Sequence, residues 1–359
     1  MSALLVVAIL VVLIVGHELG HFIFAKISRV RVEEFGIGYP PRLFRFGKIG
    51  DTEYTLNWLP FGGFVRLFGE DGDSKNPRSF SGASHLKQAV ILLAGVFANF
   101  LLGWILFTSA FMLGMPTAVS EDTPGARLLI SSVVLNSPAE ESGLMAGDEI
   151  LSVISEEGSG AENLSPSTVS SFIREHGGES LIVTYARGGE YFEVTIIPAH
   201  SVIADESGKP ALGVAITPIA EVKKNFGDAF VLGGVFAVTS LKTVTVGLYT
   251  ILTDSFEGGA QLENLIGPVG LVGVVDDASG HGLGHILGLA GFISINLVII
   301  NLLPIPALDG GRLVFVAFEA ATRRKVPNII SGLLNMLGFF LIILLMIAVT
   351  YNDIVRLIQ

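Results

Sequence analysis

The chain has 359 residues, 50% of them hydrophobic, and a mean hydropathy of +0.65, which excludes an ordinary soluble enzyme and predicts a membrane protein. Its formal net charge of −11 argues against nucleic acid as a partner. Because it contains no cysteine, disulfide bridges and thiolate metal sites are excluded, and any metal ion must be held by histidines and carboxylates.

The charges are distributed unevenly along the chain. Basic residues are concentrated in residues 26–48 and again in residues 312–325, whereas Asp and Glu predominate in residues 117–221. By the positive-inside rule, the basic loops face the cytoplasm and the acidic region lies outside. We therefore expect a multi-pass membrane protein with its acidic region on the extracytoplasmic side.

The first predicted element, residues 1–27, is an apolar membrane helix that contains His17, Glu18 and His21. It lacks the basic start and the small-residue cleavage site of a signal peptide, so we expect it to be retained. On a helix, His17 and His21 share one face and can reach one zinc ion, while Glu18 can hold a water molecule beside it. This is the H-E-x-x-H pattern of zinc metalloproteases; the alternative is a set of satisfied polar groups in a helix bundle.

Residues 28–86 are predicted to form a cytoplasm-facing loop and a membrane-associated β-hairpin, since residues 52–59 alternate between polar and apolar types. Such a hairpin can dip toward the active site and bind an unwound substrate by strand addition. Its candidate substrate-binding residues are Gly62, Gly63 and Phe64. The alternative is a loop that only packs on the helices.

Residues 87–115 form the second predicted span, in which Asn99 is the notable polar residue. An intramembrane asparagine most often makes an interhelical hydrogen bond. A direct role at the active site is the alternative, and Asn99 is included among the candidate substrate-binding residues.

Residues 116–222 contain short strand-like runs and a hairpin turn at residues 187–190. Residues 137–150 resemble the PDZ-domain pattern of a short helix, Gly-Leu, then Gly-Asp and a strand. We therefore expect one extracytoplasmic PDZ domain of α+β structure, which would bind peptides by strand addition. The alternative is a small α+β spacer that binds no ligand.

Residues 223–284 are predicted to form an outer helix and a linker. The segment 225–253 is long enough to span, but Lys242 near its middle favours an amphipathic helix on the membrane or against the bundle, and both remain open. His281 and His285 are also four residues apart, but without a glutamate after the first histidine and with two intervening glycines we expect no metal site there.

The third predicted span, residues 285–310, ends in a segment interrupted by prolines and glycines. Asp309 lies in this segment and is the next acid expected to reach a zinc at membrane depth, the alternative being a helix cap. A cytoplasmic loop at 311–328, a fourth span at 329–351 and an outer tail at 352–359 complete the chain. The predicted fold is thus an α-helical polytopic membrane protein with about four transmembrane helices, a membrane-associated β-hairpin and one PDZ domain.

Together these motifs resemble the site-2 metalloprotease family, most closely its bacterial regulator-of-sigma-E protease type. The resemblance covers nearly the whole chain. Its main motifs are H-E-x-x-H at 17–21, Gly-Gly-Phe at 62–64, the second-span motif at 95–99 and N-x-x-P-x-P-x-L-D-G at 301–310. Two departures are visible, because Val96 stands where the family usually has proline and the outer region has room for only one PDZ domain.

The resemblance implies a zinc cofactor held by three ligands, His17, His21 and Asp309. It also implies Glu18 as general base and Asn301 as a helper near the substrate. The PDZ domain and both termini are then expected outside the cytoplasmic membrane of a bacterium.

The expected function is that of an intramembrane zinc endopeptidase. Its substrates would be single-span proteins in the lipid bilayer, such as pre-cleaved anti-sigma factors or remnant signal peptides. An upstream site-1 protease would cut first, and the PDZ domain would gate access. A catalytically inert membrane-tethered PDZ scaffold is one alternative, which predicts a degraded zinc motif; a metal transporter is another, which needs polar residues in several spans.

Overall fold

The computed structural model describes residues 2–358 except residues 71, 73, 75, 162, 201–207 and 257–266. In chain order the helices are α1 (Ser2–Ile27), α2 (His85–Leu113), α3 (Pro138–Glu141), α4 (Pro166–Glu175), α5 (Phe226–Phe256), α6 (Pro268–Gly280), α7 (Leu283–Leu302), α8 (Asp309–Thr322) and α9 (Asn328–Ile358). The strands are β1 (Val32–Ile49), β2 (Thr52–Leu67), β3 (Met115–Ala118), β4 (Arg127–Val133), β5 (Glu149–Ser155), β6 (Leu181–Arg187), β7 (Glu190–Ile196), β8 (Ala199–His200), β9 (Pro210–Ala211) and β10 (Val214–Val222). The chain divides into two compact units, residues 1–113 with 224–359, and residues 114–223.

Within the described residues, five helices are long and apolar enough to cross a membrane: α1, α2, α5, α7 and α9. Together with the sheet region, these helices fit a polytopic membrane protein. About four spans were expected, and α5 is the additional helix. For this segment the sequence allowed either a span or a helix on the membrane surface. Length and composition qualify it as a span despite Lys242.

The region after the third span differs from the sequence-based expectation. Residues 311–328 were expected to form a loop, but most of them belong to α8, which begins at Asp309. An acidic residue in the first turn and apolar residues along one face favour a helix there. The last span, α9, continues to Ile358. It therefore includes most of residues 352–359, which were expected to form an outer tail.

Small residues allow α1 to lie close to α2. A Cβ atom added at Gly20 of α1 would overlap the carbonyl group of Ala94 on α2. Farther along α2, a Cβ atom at Gly103 would lie 3.0 Å from the side chain of Ile295 on α7. Such close backbone approach is typical of packed membrane helices. It places the histidine-bearing turn of α1 directly against α2.

The sheet of the first unit folds back on itself. Residues 34–37 of β1 lie beside residues 63–66 of β2 and also beside residues 53–56, while residues 42–49 lie beside residues 52–57. Each long strand therefore contributes two segments, and the sheet is four segments wide. The ring of Phe22 on α1 packs against Phe35, with ring centroids 5.4 Å apart, which attaches the sheet to the helix.

The second unit, residues 114–223, contains a six-stranded sheet with the order β3-β10-β4-β5-β6-β7. Although β10 comes last in the chain, it pairs antiparallel with both β3 and β4. The hairpin turn expected at residues 187–190 joins β6 to β7. Helix α4 begins with a capping box between Ser165 and Thr168, and its apolar face packs into the core of the sheet.

An ion pair with one buried partner joins the end of β6 to the turn before β5 in the second unit. Asp148, of which 1% of the side chain is exposed, accepts hydrogen bonds from Arg187 Nε at 2.6 Å and from the Met145 backbone at 2.8 Å. The hydrogen bond from Arg187 to Asp148 raises the pKa of the guanidinium above its usual value. The hydrogen bond thus favours the charged guanidinium of Arg187.

Candidate metal centre

Three side chains from distant parts of the chain meet at one point in the first unit. His17 and His21 lie one turn apart on α1, and Asp309 is the first residue of α8. Oδ2 of Asp309 lies 3.0 Å from Nε2 of His17 and 3.2 Å from Nε2 of His21, and the two nitrogens are 3.0 Å apart. Among the described residues, His17, His21 and Asp309 are the group of histidine and carboxylate side chains whose ligand atoms all lie within 4.8 Å of one another.

The three residues fit a zinc ion. Atoms bound about 2.0–2.1 Å from a tetrahedral zinc lie roughly 3.3 Å apart, close to the observed separations. Oδ2 of Asp309 is buried, and the described residues give it no hydrogen bond of normal geometry. Two imidazoles and one carboxylate form a three-ligand set of the kind found in catalytic zinc sites, which keep a fourth position open.

Helix α2 orients both histidines. Nδ1 of His21 lies 2.8 Å from the carbonyl oxygen of Ile91, so it can donate its proton there and present Nε2 to a metal. Nδ1 of His17 lies 3.3 Å from the side-chain amide of the buried Asn99. The interhelical contact expected for Asn99 is therefore made to a histidine of the cluster.

Gly95, also on α2, makes room for the imidazoles. A Cβ atom at this position would overlap Nε2 of His21 and would lie 2.7 Å from Cε1 of His17. The sequence placed Gly95 within the second-span motif but gave it no role. Gly95 lies one helical turn before Asn99, so the two residues share a face of α2. This spacing could have assigned Gly95 to the site together with Asn99.

The interrupted segment before Asp309 is tightly enclosed. A Cβ atom at Gly310 would overlap the carbonyl oxygens at the end of α7, and one at Gly338 of α9 would overlap the carbonyl oxygen of Pro306. The backbone of Ala307 also donates to Oδ1 of Asn335 on α9 at 3.2 Å. The N-cap of α8 is the preceding Leu308 and has no side-chain hydrogen bond, so Asp309 points at the histidines instead of capping the helix.

Glu18 is half-buried on the side of α1 that faces the sheet. A Cβ atom at Gly63 of β2 would lie 3.7 Å from Cγ of Glu18, and one at Gly62 would lie 3.3 Å from Ile14 on α1. The ring of Phe64 stacks on Tyr39 with a centroid separation of 6.3 Å. Of the three residues expected near a substrate, the two glycines thus lie against the helix that carries Glu18.

Asn301 lies in the last turn of α7, where it is half-buried. No hydrogen bond among the described residues joins its side chain to the histidines or to Asp309. The structure thus brings together His17, His21, Asp309 and Asn99, and no described hydrogen bond adds Asn301 to this group.

Comparison with known proteins gives consistent matches along the chain. A family model described as peptidase family M50 matches residues 5–345. A Clostridium acetobutylicum protein whose name describes a zinc metalloprotease is 34% identical, over 98% of this chain and 97% of its own. The zinc metalloprotease RasP of Shouchella clausii is 28% identical over 98% of both chains. The chloroplastic membrane metalloprotease ARASP of Arabidopsis thaliana is 30% identical, over 95% of this chain and 78% of its own.

Proposed function

The chain belongs to peptidase family M50, the site-2 protease family, and is a zinc-dependent protease, and on this premise we propose that it hydrolyses peptide bonds within the transmembrane segments of other proteins. The observation that carries the proposal is the position of the His17, His21 and Asp309 cluster between helices apolar enough to span a membrane. The resemblance inferred from the sequence is confirmed by the family match.

In this proposal His17, His21 and Asp309 hold the zinc ion. A zinc ion held there would supply Lewis-acid chemistry, polarising a peptide carbonyl and lowering the pKa of water. Glu18 follows His17 directly and lies at the edge of the cluster, where its carboxylate takes a proton from the attacking water. It then gives that proton to the leaving amine as the peptide C–N bond breaks. Asn301 remains a candidate helper near the substrate.

The sheet would hold the substrate in an extended form. Residues 63–66 of β2 pair with residues 34–37 on one side, and no described strand pairs with their other side. This free edge begins beside Glu18, so an unwound peptide added there would present its backbone to the cluster. Gly62, Gly63 and Phe64 are the residues that we propose to contact it.

We also propose where the protease lies in the cell and how substrates gain access to it. The second unit would be an extracytoplasmic PDZ domain that admits single-span substrates already shortened by a site-1 protease, such as anti-sigma factors or remnant signal peptides. Its sheet and the capped helix α4 support a peptide-binding fold. The concentration of basic residues in the loops of the first unit supports a cytoplasmic orientation for them in a bacterial membrane.

The test uses purified full-length protein and a tagged single-span reporter. Wild type and Glu18→Gln are compared for cleavage and for zinc content. We expect wild type to cut, the variant to lose at least about 100-fold in rate, and both to hold one zinc. Failure of zinc-loaded wild type to cut any single-span reporter would overturn the proposed substrate class, and equal rates would overturn the role of Glu18.

A further inference from the structure

Glu70 closes the turn that follows β2. Its Oε2 accepts a hydrogen bond from the backbone N–H of Leu67, the last residue of β2, at 3.1 Å. Its own N–H donates to the carbonyl oxygen of Leu67 at 3.3 Å. The carboxylate of Glu70 is therefore attached to the end of β2, the strand that passes Glu18 at Gly63.

The other oxygen of the same carboxylate reaches α8. Oε1 of Glu70 accepts from Nη1 of Arg312 at 2.5 Å. Arg312 lies three residues after Asp309, in the first turn of α8. One carboxylate thus connects the end of β2 to the turn of helix that begins with Asp309.

The ion pair is seated on a hydrophobic core. The guanidinium of Arg312 lies over the ring of Phe80, 5.8 Å from its centroid. Phe80, Leu67 and Val316 of α8 are buried in one cluster, which also includes residues of α1 and α2. The side chains of Glu70 and Arg312 are only 16% and 29% exposed, and they border a polar cavity of about 200 Å³.

A half-buried pair of this kind contributes little to stability compared with apolar residues of the same size, because desolvation offsets the attraction. Its better-supported use is to fix one arrangement among several. Here the pair would fix the position of β2 relative to α8, the helix that begins with Asp309. Since both charges would lose their partner in any other register, the pair selects this one.

We propose that Glu70 and Arg312 are positioning residues that fix the end of β2 to the first turn of α8, so that a peptide on β2 and the carboxylate of Asp309 are held in register. This inference rests on the proposed function of β2 as the substrate strand. Glu70 and Arg312 are not among the three residues of the metal cluster. Their loss should therefore lower kcat with little change in KM, because a peptide still binds but meets a displaced cluster.

The experiment compares Glu70→Gln, Arg312→Gln, the double variant, and the charge-exchanged Glu70→Arg with Arg312→Glu. The matched control is Arg78→Gln, which removes the more exposed ion pair to Asp51, with side chains 59% and 41% exposed. Four quantities are measured on full-length protein: kcat and KM with the reporter, the rate at which a chelator removes zinc, and the melting temperature.

We expect each single variant to lower kcat about tenfold at nearly constant KM and to release zinc about tenfold faster, because a small displacement of Asp309 would weaken both catalysis and zinc binding. The double variant should be no worse than either single variant, because the two residues act as a unit. The charge-exchanged pair should recover part of both losses, and the control should match wild type.

Additive losses in the double variant, or zinc release equal to wild type in both single variants, would overturn the inference. So would loss of activity that follows the melting temperature in every variant, the control included. If wild type fails to cut the reporter, the proposed function fails, but zinc release and its rescue still decide whether the pair positions Asp309.

Discussion

Asn99 on α2 is fully buried, and its side-chain amide nitrogen lies 3.3 Å from Nδ1 of His17 on α1. The amide oxygen of Asn99 is also buried and has no hydrogen-bond partner among the described residues. A half-turn of the amide brings the oxygen toward Nδ1 of His17, which can then donate its proton and leave Nε2 for a metal. Asn99 is therefore placed to orient a metal ligand, although the sequence had grouped it with substrate-binding residues.

Replacing Asn99 by alanine should weaken zinc binding. We expect Asn99→Ala to bind zinc about 10- to 100-fold more weakly, because the partners of metal-ligating histidines contribute that much to affinity. Competition with a chelator of known affinity measures the change. Asn296→Ala is the control, since Asn296 is an amide of α7 that donates to Phe292 within its own helix. Equal zinc affinity in the two variants would contradict this role for Asn99.

A methyl group at Gly95 should displace the imidazoles. We expect Gly95→Ala to lower kcat by about 100-fold, because small displacements of reacting groups have effects of that order. Gly103→Ala is matched to it, since it makes the same change on the same helix against the flexible end of Ile295. In both variants the change from glycine to alanine favours the helix by about 1 kcal/mol. A difference in reporter cleavage between them therefore reflects the displaced imidazoles. Loss of activity in both variants, or in neither, would argue against the assignment.

Asp353 on α9 holds the start of α6, and its removal should destabilise the first unit. Its carboxylate accepts from the backbone N–H groups of Gly267, Val269 and Gly270 at 3.0, 3.1 and 2.8 Å. Because these are charge-assisted bonds to a buried group, we expect Asp353→Ala to lower the free energy of unfolding by about 2 kcal/mol or more. Thermal unfolding in detergent measures it. Asp277→Ala removes an exposed acid of α6 and should leave the melting temperature unchanged; a similar shift in both would contradict the prediction.

Breaking the Asp148–Arg187 pair should destabilise the second unit. Because Arg187 is about one-third exposed, losing the hydrogen bonds to the buried Asp148 costs about 1–3 kcal/mol, so Asp148→Ala should make residues 114–223 more susceptible to protease. Glu149→Gln breaks a more exposed pair on the same sheet, in which Arg127 lies 3.3 Å from Glu149. It should leave the digestion rate close to that of wild type. Slow digestion of the Asp148 variant would show that the pair is dispensable.

Local contacts of the site follow from the sequence, whereas most long-range ones do not. The shared face of His17 and His21 results from the helical repeat alone. The approach of Asp309 to them was anticipated only through its motif, since no local rule relates residues so far apart. The contacts of Gly95 and Asn99 with the histidines depend on the rotation of α2 against α1. An almost uniformly apolar helix does not encode that rotation in its hydrophobic pattern.

The same limit explains the differences in the fold. Alternation at residues 52–59 predicted strands, but the double pairing of residues 34–37 depends on contacts that alternation does not specify. Residues 311–328 were assigned to a loop because of their basic residues, although their apolar face packs as α8. For α5, the charge of Lys242 and the length of the apolar segment favour different locations.

The folded-back sheet of the first unit has two borders, that is, two edges without a partner strand among the described residues. They lie at different distances from Glu18. One border is formed by residues 63–66 beside Glu18, and the other by residues 42–49. The two are separated by three strand spacings, about 14 Å in total. An extended peptide that joins the second border is therefore bound but out of reach of the metal centre. Strand addition at the second border would therefore not lead to cleavage, although the exposed aromatic rings of Phe44 and Phe46 make that border a favourable apolar surface.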